Sequence, residues 1–236
     1  MPSLKGQIAV VTGASRGIGR AIARRLANSD CDLALLARSD ADLQALAWEI
    51  KTAGREALAI PADMRDPAQV AGALEKALAY FGRVDILVNN AGLWRYGLVQ
   101  DLTLEDWDEM FDVNVRGVFL CCKQALPSML ARGRGHIVNI GSVSGLFGET
   151  EGAGYCATKW ALRGFTQSLY KEVGPKGIRV TLIEPGTVNN DEGKSDGDRA
   201  LIQNEDIAEL VHAAVTLAPR TTLYEAVLWP SREEYP

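Results

Sequence analysis

The chain has 236 residues, of which 47% are hydrophobic and 23% are charged, as expected for a globular protein with a core of useful size. Its formal net charge of -5 argues against a protein that binds the nucleic-acid backbone, and no stretch approaches the ~18 consecutive apolar residues of a membrane span. The four cysteines contain no CxxC pair and no histidine cluster accompanies them, which argues against a bound metal and favours buried, reduced thiols in a cytoplasmic protein.

Short apolar segments alternate along the chain with longer segments of helical periodicity. Strands are expected at Ile8–Thr12, Asp32–Ala37, Ala57–Asp63, Ile86–Gly92, His136–Ser142, Ile178–Gly186 and Glu225–Pro230. Helices are expected at Arg20–Asn28, Asp40–Ala53, Pro67–Phe81, Glu105–Arg132, Tyr155–Val173 and Asp206–Leu217. Apolar strands without polar alternation are typical of a parallel sheet that helices cover on both faces. The pattern predicts one α/β domain over residues 1–236, a doubly wound Rossmann domain with a parallel seven-stranded sheet flanked by helices.

One segment interrupts this alternation. Residues 187–204 are polar and contain the run Asn189-Asn190-Asp191-Glu192-Gly193. Polar stretches of this length without periodicity are typical of loops, and long loops often carry function. We therefore expect a mobile loop near the substrate at residues 187–204.

A glycine-rich segment, TGASRGIG, follows the first strand and leads into the first helix. Gly13 allows the chain to turn sharply off the strand, Gly17 allows a ligand to approach the backbone, and Gly19 allows the helix to pack tightly on the sheet. The N-terminus of the helix points at this loop and suits a pyrophosphate. A glycine-rich turn without a ligand is the alternative, which the strand–loop–helix context disfavours.

The end of the second strand bears on the choice of nucleotide. An acidic residue there would bind the adenosine ribose and repel a 2′-phosphate, but this chain has Ala37 followed by Arg38. Arg38 and Arg16 are placed to flank a phosphate with charge-assisted hydrogen bonds, the alternative being that both are solvated surface charges. The sequence therefore favours NADP(H) over NAD(H).

Tyr155 and Lys159 are spaced i, i+4, which puts them one turn apart on one face of a helix. A neighbouring ammonium is expected to lower the pKa of the phenol and so let Tyr155 exchange a proton with an alcohol or a forming alkoxide. Ser142 ends the fifth strand, at the sheet edge where ligands of such folds bind, and could hold the substrate oxygen; Ser144 is a weaker candidate. By itself such a pair is usually a surface feature, and Ser142 could be a turn residue.

The glycine loop with the spacing GxxxGxG, the segment NNAG, Ser142, the segment YCATK and the pair Pro185-Gly186 follow one another in this order. Together they resemble the short-chain dehydrogenase/reductase family over nearly the whole chain, in its branch of 3-oxoacyl-acyl-carrier-protein reductases. The resemblance implies a catalytic set of Asn114, Ser142, Tyr155 and Lys159. It implies that the cofactor is bound by Gly13, Ser15, Arg16, Gly17, Ile18, Gly19, Arg38, Ser39, Asp63, Met64, Asn90, Ala91, Gly92, Tyr155, Lys159, Pro185, Gly186 and Val188.

Within that resemblance, Asp63 is expected to meet the adenine, and Asn114 is expected to interrupt its helix and hold a water between Lys159 and solvent. The sequence departs from the family at Asn190, which stands where a threonine is usual. The following segment is short and acidic, so a fatty acyl or steroid substrate is not inferred. Candidates for an apolar substrate wall are Leu93, Trp94, Tyr96, Leu146 and Phe147, although Trp94 and Tyr96 could equally lie in the core.

The favoured function is a carbonyl reductase that transfers a hydride between NADP(H) and a small-molecule carbonyl or alcohol. Two alternatives stay open: an alcohol or sugar-alcohol dehydrogenase of the same fold, and a regulatory protein that senses NADP(H) without turnover. The resemblance also implies a homodimer or homotetramer built on the helices at Glu105–Arg132 and Tyr155–Val173. His136 and His212 have no partner pattern and are expected to be structural.

Overall fold

The computed structural model describes residues 3–189 and 201–231. All strands of its seven-stranded sheet run parallel, in the order β3-β2-β1-β4-β5-β6-β7. The strands are β1 (Ile8–Thr12), β2 (Asp32–Ala37), β3 (Ala57–Pro61), β4 (Ile86–Asn89), β5 (Gly135–Ile140), β6 (Ile178–Pro185) and β7 (Glu225–Leu228). The predicted doubly wound Rossmann fold is confirmed.

The helices connect successive strands and pack on the two faces of the sheet. They are α1 (Gly17–Ala27), α2 (Asp40–Thr52), α3 (Pro67–Phe81), α4 (Leu104–Phe111), α5 (Val118–Arg132), α6 (Ala153–Val173) and α7 (Asn204–Thr216). One buried apolar cluster joins the sheet to α1, α2 and α7, and a second joins it to α3, α5 and α6. Because both faces are covered, the strands are mostly apolar and do not alternate with polar residues, as the sequence pattern predicts.

The helical region predicted at Glu105–Arg132 is not one continuous α-helix. Residues Asp112–Gly117 form a π-helical segment between α4 and α5. Such segments are rare and widen the helix locally, often at functional sites. The expectation of an interrupted helix at Asn114 is correct, and the interruption takes this form.

The four cysteines are buried and free, in agreement with the thiols expected from the sequence. Burial raises the pKa of Cys122 to about 12, as expected for a thiol that packs as a small apolar group. Within residues 3–189 and 201–231, no helix combines the length and apolar character needed to cross a membrane. The same residues contain no group of three or more His, Cys, Asp or Glu side chains that could hold a metal ion.

The polar segment at residues 187–204 is described only at its two ends. Val188 pairs with Ile202 in an isolated parallel bridge, and Asn189 N donates to Ile202 O at 2.8 Å. The two ends are therefore held together beside the carboxyl end of β6. Asn190 and most of the predicted loop lie outside the described residues, and the mobility of the loop stays a prediction.

Candidate active site

Most of the sequence-predicted cofactor residues lie at or just beyond the carboxyl ends of the strands, near β1 and β4, between which the strand order reverses. Tyr155 and Lys159 lie on α6, and Asn114 lies in the π-helical segment. In a doubly wound sheet this edge is the usual ligand-binding crevice. The glycine loop follows β1, Arg38 follows β2, Asp63 follows β3 and Asn90 follows β4. Pro185 is the last residue of β6.

The glycine loop has the backbone that its sequence predicts. Gly13 and Gly17 have φ angles of 66° and 53°, in the left-handed region that favours glycine. Helix α1 begins at Gly17, and its N-cap residue Arg16 makes no side-chain capping hydrogen bond within the described residues. The first turn of α1 thus faces the crevice with the partial positive charge of a helix N-terminus, which suits an anion.

Asn90 supports this loop directly. Its Nδ2 donates to the carbonyl oxygen of Thr12 at 3.0 Å, while the hydroxyl of Thr12 accepts from the backbone N–H groups of Asn90 and Ala91 at 3.0 Å each. Asn90, which the sequence assigns to the cofactor site, is therefore hydrogen-bonded to the backbone at the start of the glycine loop. Its direct contact with a ligand stays a prediction.

Arg16 and Arg38 are exposed, and neither forms a salt bridge with a carboxylate of the described residues. Asp63, by contrast, is engaged: Arg65 donates from Nε and Nη2 to its carboxylate, which holds the pKa of Asp63 below its usual range. Because Arg65 occupies this carboxylate, Asp63 keeps less capacity to accept from an adenine. The two arginines remain the cations available for a phosphate at this edge.

Ser142 and Tyr155 meet at the carboxyl end of β5. The side chain of Ser142 is hydrogen-bonded to Tyr155, and its Oγ lies 3.0 Å from the Oγ of Ser144. Lys159 lies one turn further along α6, with Nζ 5.5 Å from the centroid of the Tyr155 ring. Its ammonium donates to the carbonyl oxygen of Ile140, the last residue of β5, at 3.2 Å.

Asn114 is buried in the π-helical segment and links two parts of the site. Its Oδ1 accepts from Leu93 N at 2.8 Å, and its Nδ2 donates to Leu93 O at 2.7 Å and to Thr158 Oγ1 at 3.0 Å. Thr158 in turn donates to the backbone oxygen of Tyr155 at 2.7 Å. The amide therefore fixes the chain after β4 to the first turns of α6, where Tyr155 lies.

Burial dominates the electrostatics of the catalytic pair. Desolvation raises the pKa of Tyr155 above its ordinary value, and the hydrogen bond from Ser142 offsets only part of that rise. Desolvation also lowers the pKa of Lys159 to about 8, with the carboxylate of Glu184 acting in the opposite direction. Burial therefore dominates the pKa of the phenol in this arrangement, and the contribution of Lys159 to that pKa stays a prediction.

The substrate side of the site is more polar than the sequence suggests. Trp94 and Tyr96 are 50% and 53% exposed, so the alternative that they lie in the core is wrong. Glu149 accepts hydrogen bonds from Ser144 Oγ and, at 3.2 Å, from the hydroxyl of Tyr96. The Tyr96 ring lies 6.2 Å from the Tyr155 ring between centroids. A carboxylate therefore stands beside the group of hydroxyls that would receive the substrate.

Sequence reasoning missed Glu149, Thr158 and Glu184. Glu149 lies between motif residues in a loop with no periodicity of its own, and Thr158 lies within the segment YCATK, where only Tyr155 and Lys159 are assigned a role. Glu184 had a detectable signal, because it is the one acidic residue in β6, IRVTLIEP, a strand that is buried at nearly every position. Acidic side chains are almost never fully buried without a partner, so its place in a buried strand called for one.

Comparisons with known proteins identify the family to which this chain is similar. A family model described as short chain dehydrogenase matches residues 7–200. An uncharacterized oxidoreductase of Staphylococcus epidermidis is 35% identical over 98% of this chain and 100% of its own length. The 3-oxoacyl-acyl-carrier-protein reductase of Escherichia coli K12 is 40% identical over 84% of this chain and 81% of its own length.

Two solved structures are similar over nearly their whole length. A metagenomic short-chain oxidoreductase in complex with NADP is 37% identical, has a TM-score of 0.87 and covers 98% of this chain and 99% of its own. An alcohol dehydrogenase from the archaeon Thermococcus sibiricus, complexed with 5-hydroxy-NADP, is 33% identical with a TM-score of 0.90, covering 97% of this chain and 99% of its own.

Proposed function

The chain belongs to the short chain dehydrogenase family of oxidoreductases, and from this premise we propose that it is an NADP(H)-dependent carbonyl reductase. One observation carries the proposal: Ser142, Tyr155, Lys159 and Asn114 form one connected group at the carboxyl edge of the sheet. They come from three parts of the chain, namely the π-helical segment, the end of β5 and α6, so only the fold brings them together. We further propose that one domain holds both the nucleotide-binding and the catalytic residues, in a cytoplasmic protein.

The proposed reaction adds a hydride and a proton across a carbonyl group. A bound nicotinamide supplies the hydride for reduction and accepts it in the reverse direction. Ser142 Oγ donates a hydrogen bond to the carbonyl oxygen and holds it beside Tyr155. The Tyr155 hydroxyl then delivers the proton as negative charge develops on that oxygen, and in alcohol oxidation the phenolate takes it back.

Lys159 and Asn114 prepare Tyr155 for this exchange. The ammonium of Lys159 favours the phenolate that remains after Tyr155 has given up its proton, because opposite charges attract strongly where little water is present. Asn114 holds the Thr158 hydroxyl, and through it the backbone oxygen of Tyr155, at a fixed position against Leu93. Precise placement of this kind contributes to catalysis because it removes the need to orient the groups in each turnover.

The residues of the glycine loop fit a dinucleotide phosphate. Gly13 and Gly17 adopt left-handed φ angles, and Gly19 lies too close to Gly13 for any side chain, so the backbone forms a cradle that a Cβ atom would fill. The exposed Arg16 and Arg38 would hold the 2′-phosphate of NADP(H). The NADP bound to similar proteins supports the same choice of cofactor.

An alcohol dehydrogenase is the second candidate, favoured by the similarity to the archaeal alcohol dehydrogenase and by the polar Glu149–Tyr96 pair. A sensor of NADP(H) without turnover is disfavoured, because a sensor has no need of hydroxyls arranged for proton exchange.

The proposal is tested by incubating the protein with NADPH or NADH and a panel of ketones, aldehydes and quinones, and by running alcohols and sugar alcohols with NADP+ in the reverse direction. The expected result is loss of NADPH absorbance at 340 nm with at least one carbonyl compound. Tyr155→Phe should abolish turnover and leave NADPH binding nearly intact. Tyr80→Phe, at an exposed tyrosine on α3, is the matched control and should retain full activity. A broad panel without turnover, or equal activity in both variants, would contradict the proposal.

We also propose a homodimer or homotetramer built on α4, α5 and α6. Trp107, Phe119 and Trp160 lie on these helices with 37%, 46% and 50% of their surfaces exposed. Large exposed aromatic side chains on neighbouring helices are typical of protein–protein interfaces. Light scattering should give two or four times the mass of one chain, and a monomer at all concentrations would refute the assembly.

A further inference from the structure

A line of charged residues follows the catalytic tyrosine along helix α6. Tyr155, Lys159 and Arg163 are spaced i, i+4 and i+8, so they follow one face of α6. Glu184, on β6, lies against this face, and Glu225 lies on the neighbouring strand β7. The line joins the catalytic phenol to a charged cluster that the proposed reaction does not use.

Arg163 joins Glu184 to Glu225. Arg163 Nη1 lies 3.2 Å from Glu184 Oε2, while Arg163 Nη2 donates to Glu225 Oε1 at 2.7 Å. The side chain of Glu184 is only 1% exposed. Its carboxylate is therefore a buried charge whose partners are fixed by α6 and β7, rather than a solvated residue that happens to lie nearby.

The Lys159 segment lies directly beside this carboxylate. A Cβ atom at Gly145 would be 3.0 Å from Lys159 O and 3.2 Å from Glu184 Oε1, so the backbone oxygen of Lys159 and the carboxylate of Glu184 border the same narrow space. The strand end to which Lys159 donates is also in contact with Glu184. Ile140 pairs with Ile183 in the sheet, and a Cβ atom at Gly141 would lie 3.0 Å from Glu184 Cγ.

The cluster holds two cations, Lys159 and Arg163, and two carboxylates, Glu184 and Glu225. Arg163 is in contact with both carboxylates, while Lys159 donates to Ile140 O. Burial raises the pKa of Glu184 to about 7; Arg163 and Lys159 oppose the rise, and Glu225 adds to it. Without Glu184, Lys159 would be a buried cation beside a second cation, and burial would favour its neutral form.

We propose that Glu184 is a positioning residue of the active site, whose carboxylate keeps Lys159 protonated at the end of β5 and so acts on Tyr155 through Lys159. The inference rests on the proposed function for its catalytic consequence, but the coupling between the two side chains is a property of the folded protein. Removal of the negative charge lowers the pKa of Lys159, so the ammonium that favours the phenolate is lost at lower pH. This change shifts the basic limb of carbonyl reduction to lower pH.

The direct test follows the ionisation of Lys159 by NMR in protein labelled with 13C-lysine. The Cε resonance of Lys159 is assigned by its loss in Lys159→Arg. In the unsubstituted protein we expect a main midpoint near 8 and a smaller step near 7, which reports the ionisation of Glu184. In Glu184→Gln the smaller step should vanish and the main midpoint should fall by about one pH unit.

Asp85→Asn is the matched control. Asp85 is a buried carboxylate paired with Arg83 and Arg132, and it precedes β4 at the opposite edge of the sheet. Its loss should destabilise the fold without moving the Lys159 midpoint. An unchanged midpoint in folded Glu184→Gln, or an equal shift in Asp85→Asn, would overturn the proposal. If Glu184→Gln does not fold, the step near pH 7 in the unsubstituted protein decides: its presence supports the coupling and its absence overturns it.

The pH profile of kcat/KM for carbonyl reduction then tests the catalytic consequence. Its basic limb should lie about one pH unit lower in Glu184→Gln than in the unsubstituted protein. A shifted Lys159 midpoint with an unmoved limb would overturn the positioning role. Absence of turnover in the unsubstituted protein would refute the proposed function and leave the NMR result to stand by itself.

Discussion

Gly19 lies so close to Gly13 that no side chain fits between helix α1 and the glycine loop. A Cβ atom at residue 19 would be 2.2 Å from the carbonyl oxygen of Gly13 and 2.5 Å from Asn90 Nδ2. Neither atom can easily move, since the first belongs to the backbone and the second is hydrogen-bonded to Thr12 O. The approach of α1 to the loop therefore requires glycine at this position.

Gly19→Ala should displace the start of α1, lower the free energy of unfolding by about 1–3 kcal/mol and abolish measurable NADPH binding. Thermal unfolding and a fluorescence titration with NADPH measure the two effects. The control is Gly72→Ala in α3, where nothing lies within 4 Å of the added Cβ atom. That change should stabilise the protein by about 0.5–1 kcal/mol and leave binding unaltered. Normal NADPH affinity in Gly19→Ala would contradict the fit of the loop to a pyrophosphate.

Arg38→Asp should weaken NADPH binding by roughly tenfold or more and make NADH the preferred cofactor, because a carboxylate repels the 2′-phosphate and accepts from a free ribose hydroxyl. The ratio of Kd values for the two cofactors measures the change. Arg134→Asp makes the same charge change at an exposed arginine just before β5, at the opposite edge of the sheet, and should leave the ratio unaltered. An unchanged preference in Arg38→Asp would exclude Arg38 from the phosphate site.

Glu149→Gln should shift the pH dependence of alcohol oxidation to lower pH. The negative charge of Glu149 contributes to the raised pKa of Tyr155, so its removal makes the phenolate form at lower pH. The midpoint of the rise in kcat with pH should fall by about half a pH unit. The control is Glu151→Gln, two residues further along the same loop, with an expected shift near zero. A shift to higher pH in Glu149→Gln would contradict this account.

His136 should make the protein less stable in mild acid. Burial lowers the pKa of His136 to about 3, so the native state keeps the ring neutral while the unfolded chain takes up a proton below about 6.5. The unfolded state therefore binds more protons, and this residue's contribution to stability falls by about 2 kcal/mol between pH 6.5 and pH 5. Urea unfolding across this range should show the loss, and His136→Leu should reduce it. An equal pH dependence in both proteins would refute the assignment to His136.

The strands were predictable because burial on both sheet faces leaves a simple apolar pattern. Strands β1 and β2 have the bounds that the sequence predicts, whereas β4 ends at Asn89 rather than Gly92. The earlier end follows from a tertiary contact, since Asn90 is hydrogen-bonded to the backbone of Thr12. Local sequence carries no sign of such a contact.

The catalytic residues were predictable because their motifs have fixed spacings within single elements. The pKa of Tyr155 was not, since it depends on how deeply α6, the loop after β4 and the segment after β5 bury the phenol. Glu184 was missed for a similar reason. Its partners Lys159, Arg163 and Glu225 are far apart in sequence, and only the packing of α6 on β6 brings them together.

The π-helical segment at Asp112–Gly117 has a consequence for how this chain can change by mutation. A π turn contains one residue more than the corresponding α turn, so it is equivalent to a single-residue insertion within a helix. Deletion of that residue would restore a regular helix but rotate α5 by about 100° relative to α4. Asn114 would then lose Leu93 and Thr158, while the buried side of α5 would turn away from α3 and the sheet. No single deletion can remove the insertion and keep both sets of contacts, so the segment should persist through sequence drift once it has formed.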